Sequence, residues 1–91
     1  MIDPVDGVTL PLPVTTDSPI RIRFSSPIRL YDVVLMQDLF GDWLVAESWY
    51  DRHTKRSGSK TRPTGGFDEG KTLLNAITRR RIQRGYQLVA A

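Results

Sequence analysis

The stretch LYDVVLMQDLFGDWLVAESWY, residues 30–50, carries the fold. From Leu30 to Gln37 the side chains sort onto two faces, with Tyr31, Val33 and Leu35 on one and Asp32, Val34 and Met36 on the other. A period of two is what a strand imposes. Both faces become apolar towards Met36, as in a strand with neighbours on each side. Asp38-Leu39-Phe40-Gly41-Asp42 reads as a turn, because Gly41 can take a positive φ without a Cβ penalty. Trp43 to Tyr50 alternates again, Trp43, Val45 and Trp49 falling in step. Two alternating runs joined by a short turn predict an antiparallel hairpin.

Upstream, Ile20-Arg21-Ile22-Arg23-Phe24 alternates apolar and charged residues and predicts an earlier strand, broken by Ser25-Ser26-Pro27. Downstream, residues 51–66 carry Gly58, Pro63, Gly65 and Gly66 and few apolar side chains. They are expected to form a long loop or irregular hairpin, with room for a fourth strand near Lys60 to Thr64. Asp68 to Arg84 has the marks of a helix: Asp68 at the N-cap, Glu69 in the first turn, an apolar face of Leu73, Leu74 and Ile77, and Gly85 at C′. Tyr86 to Val89 can close the chain as a short strand or a tail packing back. Strands first and one late helix predict an α+β domain, a small antiparallel β-sheet with one C-terminal helix packed on it. Residues 1–19, with Pro4, Pro11, Pro13 and Pro19 and little apolar period, are expected to form an extended arm, leaving residues 20–91 as a single domain.

A chain of 91 residues, 40% hydrophobic and 25% charged, has the composition of an ordinary soluble globular domain. It can hold one modest core and no deep, walled-off cavity. The absence of cysteine excludes disulfides, thiolate metal sites and a cysteine nucleophile. The first ten residues have no basic side chain and no apolar core of a leader peptide. The longest aliphatic run, Val33-Val34-Leu35-Met36, is too short to span a bilayer, so a cytoplasmic location is expected. The net charge of +3 is unevenly spread. Residues 1–51 hold three basic and eight acidic side chains, whereas residues 52–91 hold ten basic and two acidic. Asymmetry of this kind points to a polyanionic partner.

The inventory for catalysis is thin. His53 is the only histidine and lies in a polar, cationic segment with no ordered nucleophile, base and orienter around it. A lone histidine without cysteine argues against a transition-metal site, and no glycine-rich phosphate loop or dinucleotide motif is present. No enzyme, cofactor or small-molecule substrate is expected. The basic residues are the stronger lead. Arg52, Lys55, Arg56, Lys60 and Arg62 fall within residues 52–62, interleaved with serines, threonines and a glycine that can bring hydroxyls and bare N–H groups to phosphate oxygens.

A second cluster is Arg79, Arg80, Arg81 and Arg84. At 100° per residue, Arg79 points away from the apolar stripe and Arg80 and Arg84 flank one edge. Three of these suit the end of a helix dipole, but Arg81 falls inside the stripe near Leu74 and must snorkel or find a partner. Trp49 and Tyr50 are adjacent on a strand, so one faces the core and the other faces out. An exposed aromatic beside arginines is a stacking platform for a base.

The turn DLFGDW, a strand ending in Trp49, a basic loop, then an acidic-start helix closing with RRRIQRGY resemble a WGR domain over roughly residues 20–89, and small bacterial WGR-like proteins in particular. The resemblance implies a small antiparallel sheet with a flanking helix, and the binding of DNA ends. It also implies that Trp49, the first letter of the name motif, packs against a terminal nucleotide. Tyr50 and Asp51 stand where the family has glycine and a phosphate-contacting arginine, and an aspartate there repels a phosphate. Arg52, one place later, supplies the missing guanidinium only if the loop is re-routed. Arg81 stands where such helices often carry a lysine ahead of the glycine. Together these readings predict a non-catalytic module that binds DNA or another polyanion through Trp49, Tyr50, the 52–62 cations, Arg80, Arg81 and Arg84. The alternative is a protein-interaction module or homodimer without nucleic-acid binding.

Overall fold

The structure is a computed structural model, described for residues 17–90. The expected N-terminal arm therefore lies, for residues 1–16, outside the described residues. The elements are β1 (Ile20–Ser25), β2 (Arg29–Gln37), β3 (Trp43–Asp51), β4 (Ser57–Pro63), α1 (Phe67–Gln83) and β5 (Gln87–Ala90). The strands form a sheet in the order β4-β3-β2-β1-β5, each pair antiparallel. The architecture is the α+β arrangement expected, a five-stranded antiparallel sheet with one helix. Among the described residues no helix is long and apolar enough to cross a membrane.

The hairpin of residues 30–50 forms as its alternation requires, with Leu35 opposite Val45 and Tyr31 opposite Trp49. Gly41 takes φ +85 in the connecting turn, and Asp38 Oδ1 accepts the N–H groups of Phe40 and Asp42. The core lies between the sheet and α1. Val33, Leu35 and Val45 of the two central strands are fully buried, joined by Phe24, Tyr31, Leu74 and Ile77. Fully burying each such aliphatic side chain stabilises the fold by about 1.5–3 kcal/mol. Gly70 lets the helix approach closely, since a Cβ there would collide with the Leu35 side chain. No element among the described residues covers the other face of the sheet, where Leu30, Met36 and Tyr50 are partly exposed.

Two boundaries differ from expectation. The fourth strand, expected near Lys60 to Thr64 within a long loop or irregular hairpin, is a seven-residue strand over Ser57–Pro63. Its residues are almost all exposed, so no apolar alternation announced it. The helix starts at Phe67 with Gly66 at the N-cap, not Asp68. One reason is local and one tertiary: the Glu69 carboxylate reaches back to accept the Gly65 N–H, and Phe67 meets Trp43 edge-to-face at 4.8 Å. Both interactions favour a helix capped two residues earlier than expected. At the other end the prediction stands. Gly85 has φ +93, its N–H reaches the Ile82 carbonyl, and the Tyr86 N–H reaches Arg81, which together close a Schellman cap.

Candidate nucleic-acid interface

The antiparallel register gives the domain two unlike ends. Where β2 starts and β3 finishes, the structure gathers Arg29, the loop from Arg52 to Arg56, and the C-terminal turn of α1. At the opposite end lie the Asp38–Asp42 turn and the helix start with Asp68 and Glu69. One end is cationic and the other acidic, with Lys71 beside Asp68 as a local exception.

At the cationic end Arg52 is clipped to its surroundings. Its backbone N–H donates to the Ile28 carbonyl at 2.8 Å. Its guanidinium donates to Ser25 Oγ at 2.9 Å and to the Ser26 carbonyl at 3.3 Å. It lines a small cleft with Ser25, Ser26, Pro27, Gly85 and Gln87, so the loop and the helix terminus share one surface. Lys55 and Arg56 are exposed in the same loop. Lys55 takes φ 60, a left-handed conformation that costs a non-glycine residue.

Asp51, at the place where the resembled family has an arginine, is turned into its own loop. Its Oδ1 accepts the N–H groups of His53 and Thr54, each at 2.9 Å, and Oδ2 faces Arg29 at 3.7 Å. The Thr54 N–H, more than any other partner, holds this carboxyl below its ordinary range. The carboxylate is thus a loop cap whose charge is answered from within.

Trp49 and Tyr50 face opposite sides, as their adjacency requires. Trp49 is half-buried on the helix side, stacked on Tyr31 with ring centroids 5.9 Å apart and planes at 14°. Its indole lies across Gly58, where an added Cβ would come within 2.6 Å of the ring. Tyr50 lies on the open face, 39% exposed, beside Leu30 and Val89 in a depression of about 700 Å³.

Arg81 resolves the conflict posed by its place in the apolar stripe. Its guanidinium carbon sits 4.2 Å above the Tyr31 ring and 5.6 Å from that of Tyr86. The pairing is cation–π, and the Arg81 Nε is buried without a hydrogen-bond partner. Below it, the Tyr31 hydroxyl donates to Glu47 Oε1, and Glu47 Oε2 faces Arg62 Nε at 3.3 Å. Glu47 is 2% exposed, a buried carboxylate that needs these partners. Burial, then the bond to Glu47, pushes the Tyr31 hydroxyl from 10.0 to about 12.

The expected site residues therefore divide. Arg52, Lys55, Arg56, Arg80 and Arg84 share the cationic end and are exposed. Arg81 shares that end but is engaged with aromatics. Lys60 and Arg62 lie along β4 instead of in the loop, and Arg62 is paired with Glu47. Tyr31, Tyr86, Glu47 and Arg29 were missed as partners of the site. Glu47 had a usable signal, since it stands two residues from Val45 and two from Trp49 on the same strand face. Among the described residues no three His, Cys, Asp or Glu side chains converge on a metal position. Compared with protein-family models, with curated proteins and with solved structures, the chain matches none.

Proposed function

We propose that this chain is a non-catalytic module that binds nucleic acid through its cationic end. One observation carries the reading: Arg52, anchored on Ser25 and Ser26, lines one cleft with Gly85, the residue that follows the arginine-rich end of α1. The self-capping of Asp51 supports it, because the carboxylate at this end is answered by Arg29 and by loop N–H groups. The left-handed Lys55 is a second support, since strained positions tend to collect where function needs them. Trp49 beside this surface offers an aromatic edge for a terminal base. The order of hairpin, basic loop, strand, acidic-start helix and Arg84-Gly85-Tyr86 before a closing strand supports a WGR-like domain, with Arg52 in the place of the missing motif arginine.

The test is fluorescence anisotropy with a labelled blunt DNA duplex across a salt series. Affinity falls with salt, log K dropping by about 0.9 per log unit of salt for each phosphate neutralised. No binding at low salt would end the proposal. A second reading, a protein-interaction module, draws on the turn apex, where Leu39 and Phe40 are 100% and 89% exposed. It requires a mass that rises with concentration in light scattering and no salt-linked DNA binding.

A further inference from the structure

The strand β4 is an edge of the sheet: it pairs with β3 on one side and, among the described residues, with nothing on the other. Two bonds at its ends fix which backbone groups are free. The Asp51 N–H donates to the Arg56 carbonyl, and the Thr64 N–H donates to the Trp43 carbonyl. Antiparallel ladders alternate, so Gly58, Lys60 and Arg62 turn their N–H and C=O groups towards β3. Ser57, Ser59 and Thr61 turn theirs outwards. Pro63 has no N–H and ends the row of free donors.

Side chains along this edge set what can pair with it. On the helix side, Gly58 is overlain by Trp49, and Lys60 and Arg62 follow at every second position. On the open side are Ser57, Ser59, Thr61 and, at the strand's end, Pro63; the small hydroxyl residues leave room for a neighbour's side chains beside the depression holding Tyr50. A second copy of this edge is a poor partner. Antiparallel self-pairing places Lys60 against itself, Arg62 or Arg56 in three registers and Arg62 against Arg56 in the register that centres on Ser59, and directly opposed like charges destabilise a pair. An acidic strand meets the same cations with opposite sign.

We propose that the free edge of β4 receives an extended acidic segment of a partner protein by strand addition. The Ser57, Ser59 and Thr61 backbones supply the ladder, and Lys60 selects carboxylates, with the part of the Arg62 guanidinium not turned to Glu47 beside it. This site is separate from the cationic end and does not depend on nucleic-acid binding.

The probe is a fluorescein-labelled peptide of alternating glutamate and valine, about seven residues long to match a typical strand. Anisotropy at low salt should show saturable binding to the full chain, with a lysine–valine peptide giving none. Ser59→Pro removes one outward N–H and leaves the bonds to β3, and affinity should fall at least about tenfold. Lys60→Glu guards against a folding failure in the proline variant. It should weaken the glutamate peptide and admit the lysine peptide, an exchange that misfolding would not produce. Binding that survives both substitutions in folded protein, or no binding at all, overturns the proposal. So does a concentration-dependent dimer abolished by Ser59→Pro.

Discussion

Two regions at the cationic end of the domain hold arginines in opposite ways. Around Tyr31, the Arg81 guanidinium lies between aromatic rings while Glu47 and Arg62 pair alongside, so these charges hold the core together. In the loop after β3, the exposed Arg52 guanidinium donates to Ser25 and Ser26, and Lys55 and Arg56 stand in solvent. A cation in the first region supports packing through its stem and its stacking on the rings, whereas one in the second leaves the fold little affected when removed. Net charge alone does not distinguish them. The surroundings of each side chain do.

The contrast can be broken most severely at Tyr31. Tyr31→Ala removes the ring beneath Arg81 and beside Trp49 and leaves Glu47 without its donor. Thermal or urea unfolding should show a loss of roughly 3–5 kcal/mol. The same residue gives a pH test. Its folded pKa of about 12 exceeds the ordinary 10.0, so the unfolded chain releases the proton first as pH rises. This contribution is complete below pH 10.0 and disappears as pH climbs to about 12. Unfolding midpoints of Tyr31→Phe should decline less over that window than those of the parent.

Arg81→Ala comes next, at about 1–2 kcal/mol, because it removes both the cation–π pairing and the packing of the stem. Equal stability of the variant would place Arg81 with the loop cations instead. A gain is expected at Lys55. Lys55→Gly relieves the left-handed backbone and should raise stability by about 0.5 kcal/mol after the entropy of an added glycine is subtracted. DNA affinity should fall in the same protein, so stability and binding move in opposite directions. The smallest stability effect belongs to Arg52→Ala with Arg56→Ala, under about 0.5 kcal/mol. Its DNA affinity should fall sharply, and its salt slope should flatten by about 0.9 for each phosphate left without a cation. A double variant that binds as the parent does would move the interface away from this loop.

Much of the fold was legible in residue order, because its signals are local. Period-two alternation marks β1, β2 and β3, Gly41 marks the turn, and Gly85 marks the helix end. The same periodicities put Trp49 and Tyr50 on opposite faces and Arg81 inside the apolar stripe. The strand β4 was not legible in full. Its stability comes from backbone bonds to β3 and not from a buried face, so its polar side chains carry no period. The grouping of the site was also hidden. Arg52 meets Gly85, and Glu47 meets both Tyr31 and Arg62, only because strands distant in sequence lie side by side. Sequence alone thus determined β1 to β3, the turn between β2 and β3 and the helix, and which face their apolar side chains take, since those follow from neighbours a few residues away. Tertiary structure decided which charges are paired, which are stacked and which remain free, because that depends on strand order and register, which no local period records.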